Sequence, residues 1–116
     1  MTAQRGEIWL ANLNPTQGSE QAGIRPVIIF QESDLARFTT TVITIPVTSN
    51  LRRAALPTCL QISKDKGGLS QTSVALCHQL RVLDQTRLTK RLGRLQSTTI
   101  SALEVVVLFT LGYSIN

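Results

Sequence analysis

Histidine, cysteine and aromatic side chains are scarce in this chain of 116 residues, which holds one His, two Cys, one Trp, one Tyr and three Phe. A single histidine, His78, excludes any mechanism that needs two imidazoles from one chain. Beside Cys77 in an alternating run it reads as a structural or interface residue rather than a catalytic base. Cys59 and Cys77 form neither a CxxC pair nor a Cys/His cluster at metal-ligand spacing. Both are read as small buried residues rather than as disulfide partners. No GxxxxGK[ST], GxGxxG, HExxH or GxSxG stretch occurs, so the enzyme classes built on those motifs are set aside, and no metal or cofactor is expected. The apolar tract from Val105 to Phe109, even with its neighbours, falls short of the ~20 residues that cross a bilayer. The opening MTAQRGEIW has one basic residue and lacks the apolar core of a secretory signal. A cytoplasmic protein with no membrane contact is the expectation.

What is present favours folding. Hydrophobic residues make up 42% of the chain and charged ones 16%, enough apolar material for a core and too little charge for disorder. The length suits one domain, residues 1–116. Twelve Lys and Arg against seven Asp and Glu leave a net charge of +5, which raises the weight of a polyanionic partner such as nucleic acid or an acidic protein segment.

Alternation of apolar and polar residues predicts mainly strands. EIWLANL reads as a half-buried first strand, with Ile8 and Leu10 on one face and Trp9 and Ala11 on the other. Asn14 to Gly23 is dense in turn formers and makes a loop longer than a hairpin needs. PVIIFQ resumes a β-branched run, Glu32 to Phe38 suits a short helical turn, and TTVITIPVTSN forms a third strand in which Pro46 suggests an edge or a bulge. LPTCLQI and SVALCHQLRVL supply two more, joined by KDKGGLSQ with Gly67-Gly68 as the turn.

After Leu83 the pattern changes. Asp84 is placed to cap a short helix, on which Arg87, Lys90, Arg91 and Arg94 recur at helical spacing and form a basic face, first of all a solubility feature. A last helix runs from Ser97 or Thr98 to Leu111, with Gly112 closing it; a strand at EVVVLF is the alternative. Its apolar residues lie on more than one face. In so small a chain one face covers the sheet and another needs a partner, so a homodimer is inferred.

The residues that carry chemistry are cationic and hydroxylic: Arg25 after the long loop, Thr48 and Ser49 after the third strand, Arg52 and Arg53 beyond them. A guanidinium fork binds two phosphate oxygens while a hydroxyl donates to a third. The same residues equally suit a solvated surface.

The stretch RGEIWLANLNPTQGSEQAGIRPVII resembles the N-terminal signature of the MazF/PemK (Kid) toxins of bacterial toxin–antitoxin systems, G-[DE]-[IV]-[WY] followed by P-x-x-G-S-E-Q-x-G-x-R-P and a hydrophobic strand. IPVTSNLRRAALPT and SVALCHQLRVLD are similar to later parts of the same pattern. The resemblance covers the chain to about residue 93. His78 stands where many members carry an acidic or other polar residue, and Ile24 where some carry a polar or ionisable one, which leaves the sequence specificity open.

The resemblance implies a mainly β fold with short helices, an SH3-like small β-barrel of the CcdB/PemK kind with a C-terminal helix, assembled as a homodimer. It implies an mRNA interferase that cuts single-stranded RNA without a metal, restrained by a cognate antitoxin. Arg25 and Thr48 match the active-site pair and Glu20 the Glu of G-S-E-Q, with Gln17, Ser19, Gln21, Ser49, Arg52, Gln79 and Arg81 as the expected RNA contacts. On this reading the 2′-OH attacks the adjacent phosphorus and leaves a 2′,3′-cyclic phosphate and a 5′-hydroxyl. Arg25 and Thr48 stabilise the phosphorane. Glu20 orients Arg25 through an ion pair, general-base work being its other possible role. A noncatalytic toxin of the same fold that binds a topoisomerase is the competing expectation. A single-strand stacking module is disfavoured by the few aromatics.

Overall fold

The computed structural model describes residues 3–113, which form seven strands and one α-helix. The strands are β1 (Glu7–Asn12), β2 (Ile24–Ile29), β3 (Thr41–Thr48), β4 (Cys59–Ile62), β5 (Ser73–Leu76), β6 (Arg81–Asp84) and β7 (Leu88–Arg94). The helix α1 spans Ser97–Thr110. All pairings are antiparallel, in the order β4-β5-β3-β2-β1-β7, with β6 beside the first half of β3. This is the mainly β architecture with a C-terminal helix that the sequence implies, but the hydrogen-bonded path is open between β4 and β7 rather than closed. The gap is filled by packing: the 3-10 turn Lys66–Gly68 lies against β7 so closely that a Cβ on Gly68 would sit 2.1 Å from the Leu92 carbonyl oxygen.

Register places the core. Ile8 faces Ile28 and Ile28 faces Ile45, a row of fully buried isoleucines across β1, β2 and β3. Each such side chain contributes about 1.5–3 kcal/mol by leaving water. On the opposite face Trp9, Ala11, Val27 and Ile29 join a second apolar cluster. β1 is therefore covered on both faces, not half-buried. Even Glu7 is buried: one carboxylate oxygen accepts from the Gln4 N–H at 2.8 Å and the Trp9 indole N–H at 3.0 Å, and the other accepts from the Arg91 Nε–H at 2.8 Å.

Three local expectations change. Residues 88–94 form β7 instead of a helix, because β1 offers them a pairing edge; two bulges in that pairing break the alternation a strand would otherwise show. The run from Ser73 to Leu83 is two strands, split by a 3-10 turn at Cys77–Gln79. Pro46 is buried in β3, paired across from Val27, and not at an edge. It stands between the part of β3 that pairs β6 (Thr41 to Thr44) and the part that pairs β5 (Val47 and Thr48), where no neighbouring strand requires its missing N–H.

α1 ends as expected, with Gly112 in the left-handed region at φ +81. Leu103 and Val107 pack into the core, whereas Val105 and Phe109 stay exposed on another face. Arg5 straps the helix down: it bonds Glu104 at 2.6 Å and the Phe30 carbonyl at 3.0 Å, with its guanidinium over the Phe30 ring. No helix among the described residues is long and apolar enough to cross a membrane.

Candidate active site

Two strands bring the leading candidates together. The register that pairs Val27 with Pro46 carries Arg25 and Thr48 level with each other at the open end of β2 and β3. Both line a cavity of about 340 Å³. Arg25 is exposed, and its Nε–H donates to the Ala22 carbonyl at 3.0 Å, which holds the side-chain stem and leaves the two terminal nitrogens without a partner among the described residues. Thr48 is buried except at this cavity; its hydroxyl oxygen accepts the Asn50 N–H at 3.2 Å and keeps its own proton to donate. Ser49 shares the wall. A guanidinium and a hydroxyl donor converging on one hollow make a site for an oxyanion.

The facing wall is one that sequence reasoning missed. Ser70, Gln71 and Ser73 line the same cavity, brought there because Thr48 pairs with Val74 on β5. Ser73 Oγ donates to the Gln71 carbonyl at 2.8 Å and the Lys64 N–H donates to Thr72 Oγ1 at 3.1 Å, so this turn is held at both ends. The hydroxyl and amide density after Gly67-Gly68 was the available signal, but only the β3–β5 pairing tells which groove it faces.

Glu20, Gln21, Gln79 and Arg81 gather around a second hollow, of about 240 Å³, together with His78. Here the long loop is pinned. Gln79 accepts the Gln21 N–H at 2.7 Å and donates to the Ser19 carbonyl at 3.2 Å, so both ends of its amide are engaged. Arg81 donates to the Leu13 carbonyl at 3.3 Å, and Arg87 to the carbonyls of Asn12 and Asn14. At the loop tip the Gln17 N–H donates to the Glu20 carboxylate at 2.8 Å, and the Glu20 N–H returns a bond to the Gln17 carbonyl. Gln17 and Ser19 are exposed there.

The expected ion pair between Glu20 and Arg25 is not formed. Among the described residues the ion pairs are Arg5–Glu104 and Arg91–Glu7. Arg52 lies on the 3-10 turn Leu51–Ala55, exposed and outside both hollows. His78 is held by Thr58, Oγ1 to Nδ1 at 2.9 Å, with Cys59 Sγ at 3.8 Å. Burial pushes both thiols up, Cys77 to about 12 with a further push from Cys59, so neither is a nucleophile near neutral pH. The basic residues after Leu83 divide: Arg87 secures the loop and Arg91 pairs with Glu7, while Lys90 and Arg94 are exposed on β7.

Known proteins are similar to this chain in sequence and in architecture. A family model described as "PemK-like, MazF-like toxin of type II toxin-antitoxin system" matches residues 4–108. A protein named Endoribonuclease MazF from Staphylococcus saprophyticus is 38% identical over 109 residues, spanning 94% of this chain and 91% of the relative. Among solved structures, a mycobacterial endoribonuclease in complex with its cognate antitoxin superposes with TM-score 0.82 at 19% identity, covering 99% of this chain and 100% of that one. MazF from Deinococcus radiodurans superposes with TM-score 0.81 at 21% identity, covering 97% and 98%. At such identities these two likenesses speak for the fold alone.

Proposed function

Because this chain belongs to the PemK-like, MazF-like toxins of type II toxin–antitoxin systems, we propose that it is an endoribonuclease of the mRNA interferase kind, restrained by a cognate antitoxin protein. The observation that supports this reading most is the shared cavity of Arg25 and Thr48. A protein-binding poison has no need of a phosphate site, and no feature of the groove favours one.

The chemistry we assign starts from the substrate. The 2′ oxygen of one ribose forms a bond to the adjacent phosphorus, the bond to the 5′ oxygen of the next nucleotide breaks, and the 2′ proton leaves to a base as a proton returns to the departing oxygen. The ends are a 2′,3′-cyclic phosphate and a 5′-hydroxyl, and the nucleophile needs no metal to generate it. Arg25 balances the charge that builds on the phosphorane, and the Thr48 hydroxyl donates to a nonbridging oxygen; groups fixed in advance of the reaction are worth most in a water-poor hollow. Glu20, not tied to Arg25, borders the second hollow, where its carboxylate accepts the Gln17 N–H at 2.8 Å, so we give it the work of holding the loop rather than of taking the proton. An arginine side chain keeps its proton at neutral pH and is a poor base.

The RNA strand follows the pinned loop, with Gln17, Ser19, Gln21, Gln79 and Arg81 along one side and Ser49 and Arg52 along the other. A second copy of the chain covers the exposed face of α1. The whole chain acts as one domain in the cytoplasm, where its substrate is.

The test is purified protein with a long single-stranded RNA in EDTA, beside Arg25→Ala, with the product ends mapped. Cuts at one recurring motif with cyclic phosphate ends are expected, reduced about 10²–10³-fold in the variant, as for loss of one oxyanion donor. Uncut RNA from a folded, antitoxin-free preparation over diverse sequences overturns the assignment.

A further inference from the structure

Gln79 matches a position the resemblance assigns to RNA, yet both ends of its amide hold the loop. The amide of Gln71 is in the opposite condition. It is exposed on the wall facing Arg25 and Thr48, and it has no hydrogen-bond partner among the described residues. Its backbone, by contrast, is fixed: the carbonyl accepts Ser73 Oγ at 2.8 Å, Leu69 N donates to Lys66 at 3.1 Å, and Gly68 is locked against β7. A free donor–acceptor pair on a rigid support is the arrangement that reads a ligand edge.

The cavity has the rest of what one nucleotide needs. Its volume of about 340 Å³ lies at the small end of the ~300–1,000 Å³ of ligand clefts, room for a single unit and not a run. Arg25 and Thr48 hold the phosphate side. Leu10, Leu69 and Leu92 supply an apolar surface for a base plane. Single-stranded bases are read on their Watson–Crick and Hoogsteen edges by side chains of this type.

Resting on the ribonuclease reading above, we propose that Gln71 is a specificity-determining residue: its amide hydrogen-bonds the edge of the one base seated in the Arg25/Thr48 cavity and so sets one position of the cleavage motif. The amide pairs one donor with one acceptor. Replacing it by a carboxylate leaves acceptors only, and guanine is the base that presents two adjacent donors, N1–H and the N2 amine, to such a pair.

The experiment sequences the 5′-hydroxyl ends produced from a randomised RNA pool by the wild-type chain, Gln71→Ala, Gln71→Glu and, as a surface control, Gln61→Ala. The expected result is that Gln71→Ala flattens the preference at one motif position by about five- to 150-fold, the discrimination of a good bidentate base contact. Gln71→Glu moves that position toward guanine, and Gln61→Ala matches the wild type. If wild type cuts a motif and both Gln71 variants cut the same motif with unchanged relative rates, this inference is overturned and the ribonuclease assignment stands. If wild type cuts nothing, both fall together.

Discussion

Gly68→Ala tests the packing that takes the place of hydrogen-bonded closure in this sheet. Gly68 has φ +83, and an added Cβ would lie 2.1 Å from the Leu92 carbonyl oxygen and 2.6 Å from its carbon, backbone atoms that have no rotamer to escape into. Gly23 has nearly the same φ, +79, with nothing within 4 Å of the added Cβ. The left-handed conformation costs an alanine about 1–2 kcal/mol at either site. Overpacking adds about 1–3 kcal/mol at Gly68 alone. Gly68→Ala therefore loses about 2–5 kcal/mol, or ~10–20 °C in melting temperature for a domain of this size, and Gly23→Ala loses only about 1–2 kcal/mol, a little under half of that. Thermal melts by circular dichroism, at matched protein concentration because an oligomer's midpoint depends on it, measure both. Equal depression in the two variants would refute the reasoning, since it would mean that the turn and β7 are not in contact.

Glu7 has its carboxyl held below the usual range: burial pushes it up, but bonds from Gln4, Trp9 and Arg91 together outweigh that. A group lowered on folding stabilises above its unfolded pKa and loses that contribution as pH falls through the folded value. Urea midpoints should therefore drop as pH falls below about 4.5, and Glu7→Gln should be less stable at pH 7 with a shallower acid limb; a parallel shift at every pH counts against it. Cys77, pushed to about 12 by burial, should stay inert to a thiol reagent at pH 8 in the folded protein and react in denaturant; fast labelling of native protein would contradict its placement. If a second copy covers α1 as proposed, Phe109→Glu, on its exposed face, should turn a dimer into a monomer by light scattering with the fold intact, and a wild type monomeric at all concentrations would overturn that proposal.

The elements that could be read from the sequence are those whose local signals agree with their surroundings. Val27, Ile28 and Ile29 are β-branched and lie in β2; the last helix starts at Ser97 and stops before a glycine that takes positive φ. Arg25 and Thr48 were recognised from a long motif, and the register of β2 and β3 joins them in one cavity. β7 was mistaken because its bulges erase the period of two and leave Arg87, Lys90, Arg91 and Arg94 at a helix-like spacing. The 3-10 break after Leu76 carries neither glycine nor proline to mark it. The Ser70–Ser73 wall was unreadable for a different reason: ordinary turn residues acquire a role only from a strand pairing between positions 48 and 74.

The pairing of β1 with β7 sets an order of events during synthesis. Ile8 finds Gly93, and Arg5 finds Glu104, only when most of the polypeptide has been made. Contacts so distant along the chain are closed late, because loop closure must precede any return from them. Arg25 and Thr48 leave the ribosome long before β7, the surface against which Gly68 and the Gln71 turn are set. A nascent chain therefore presents its cationic and hydroxyl groups before the Leu92 side of their cavity exists, and the groove is complete only once β7 has been made.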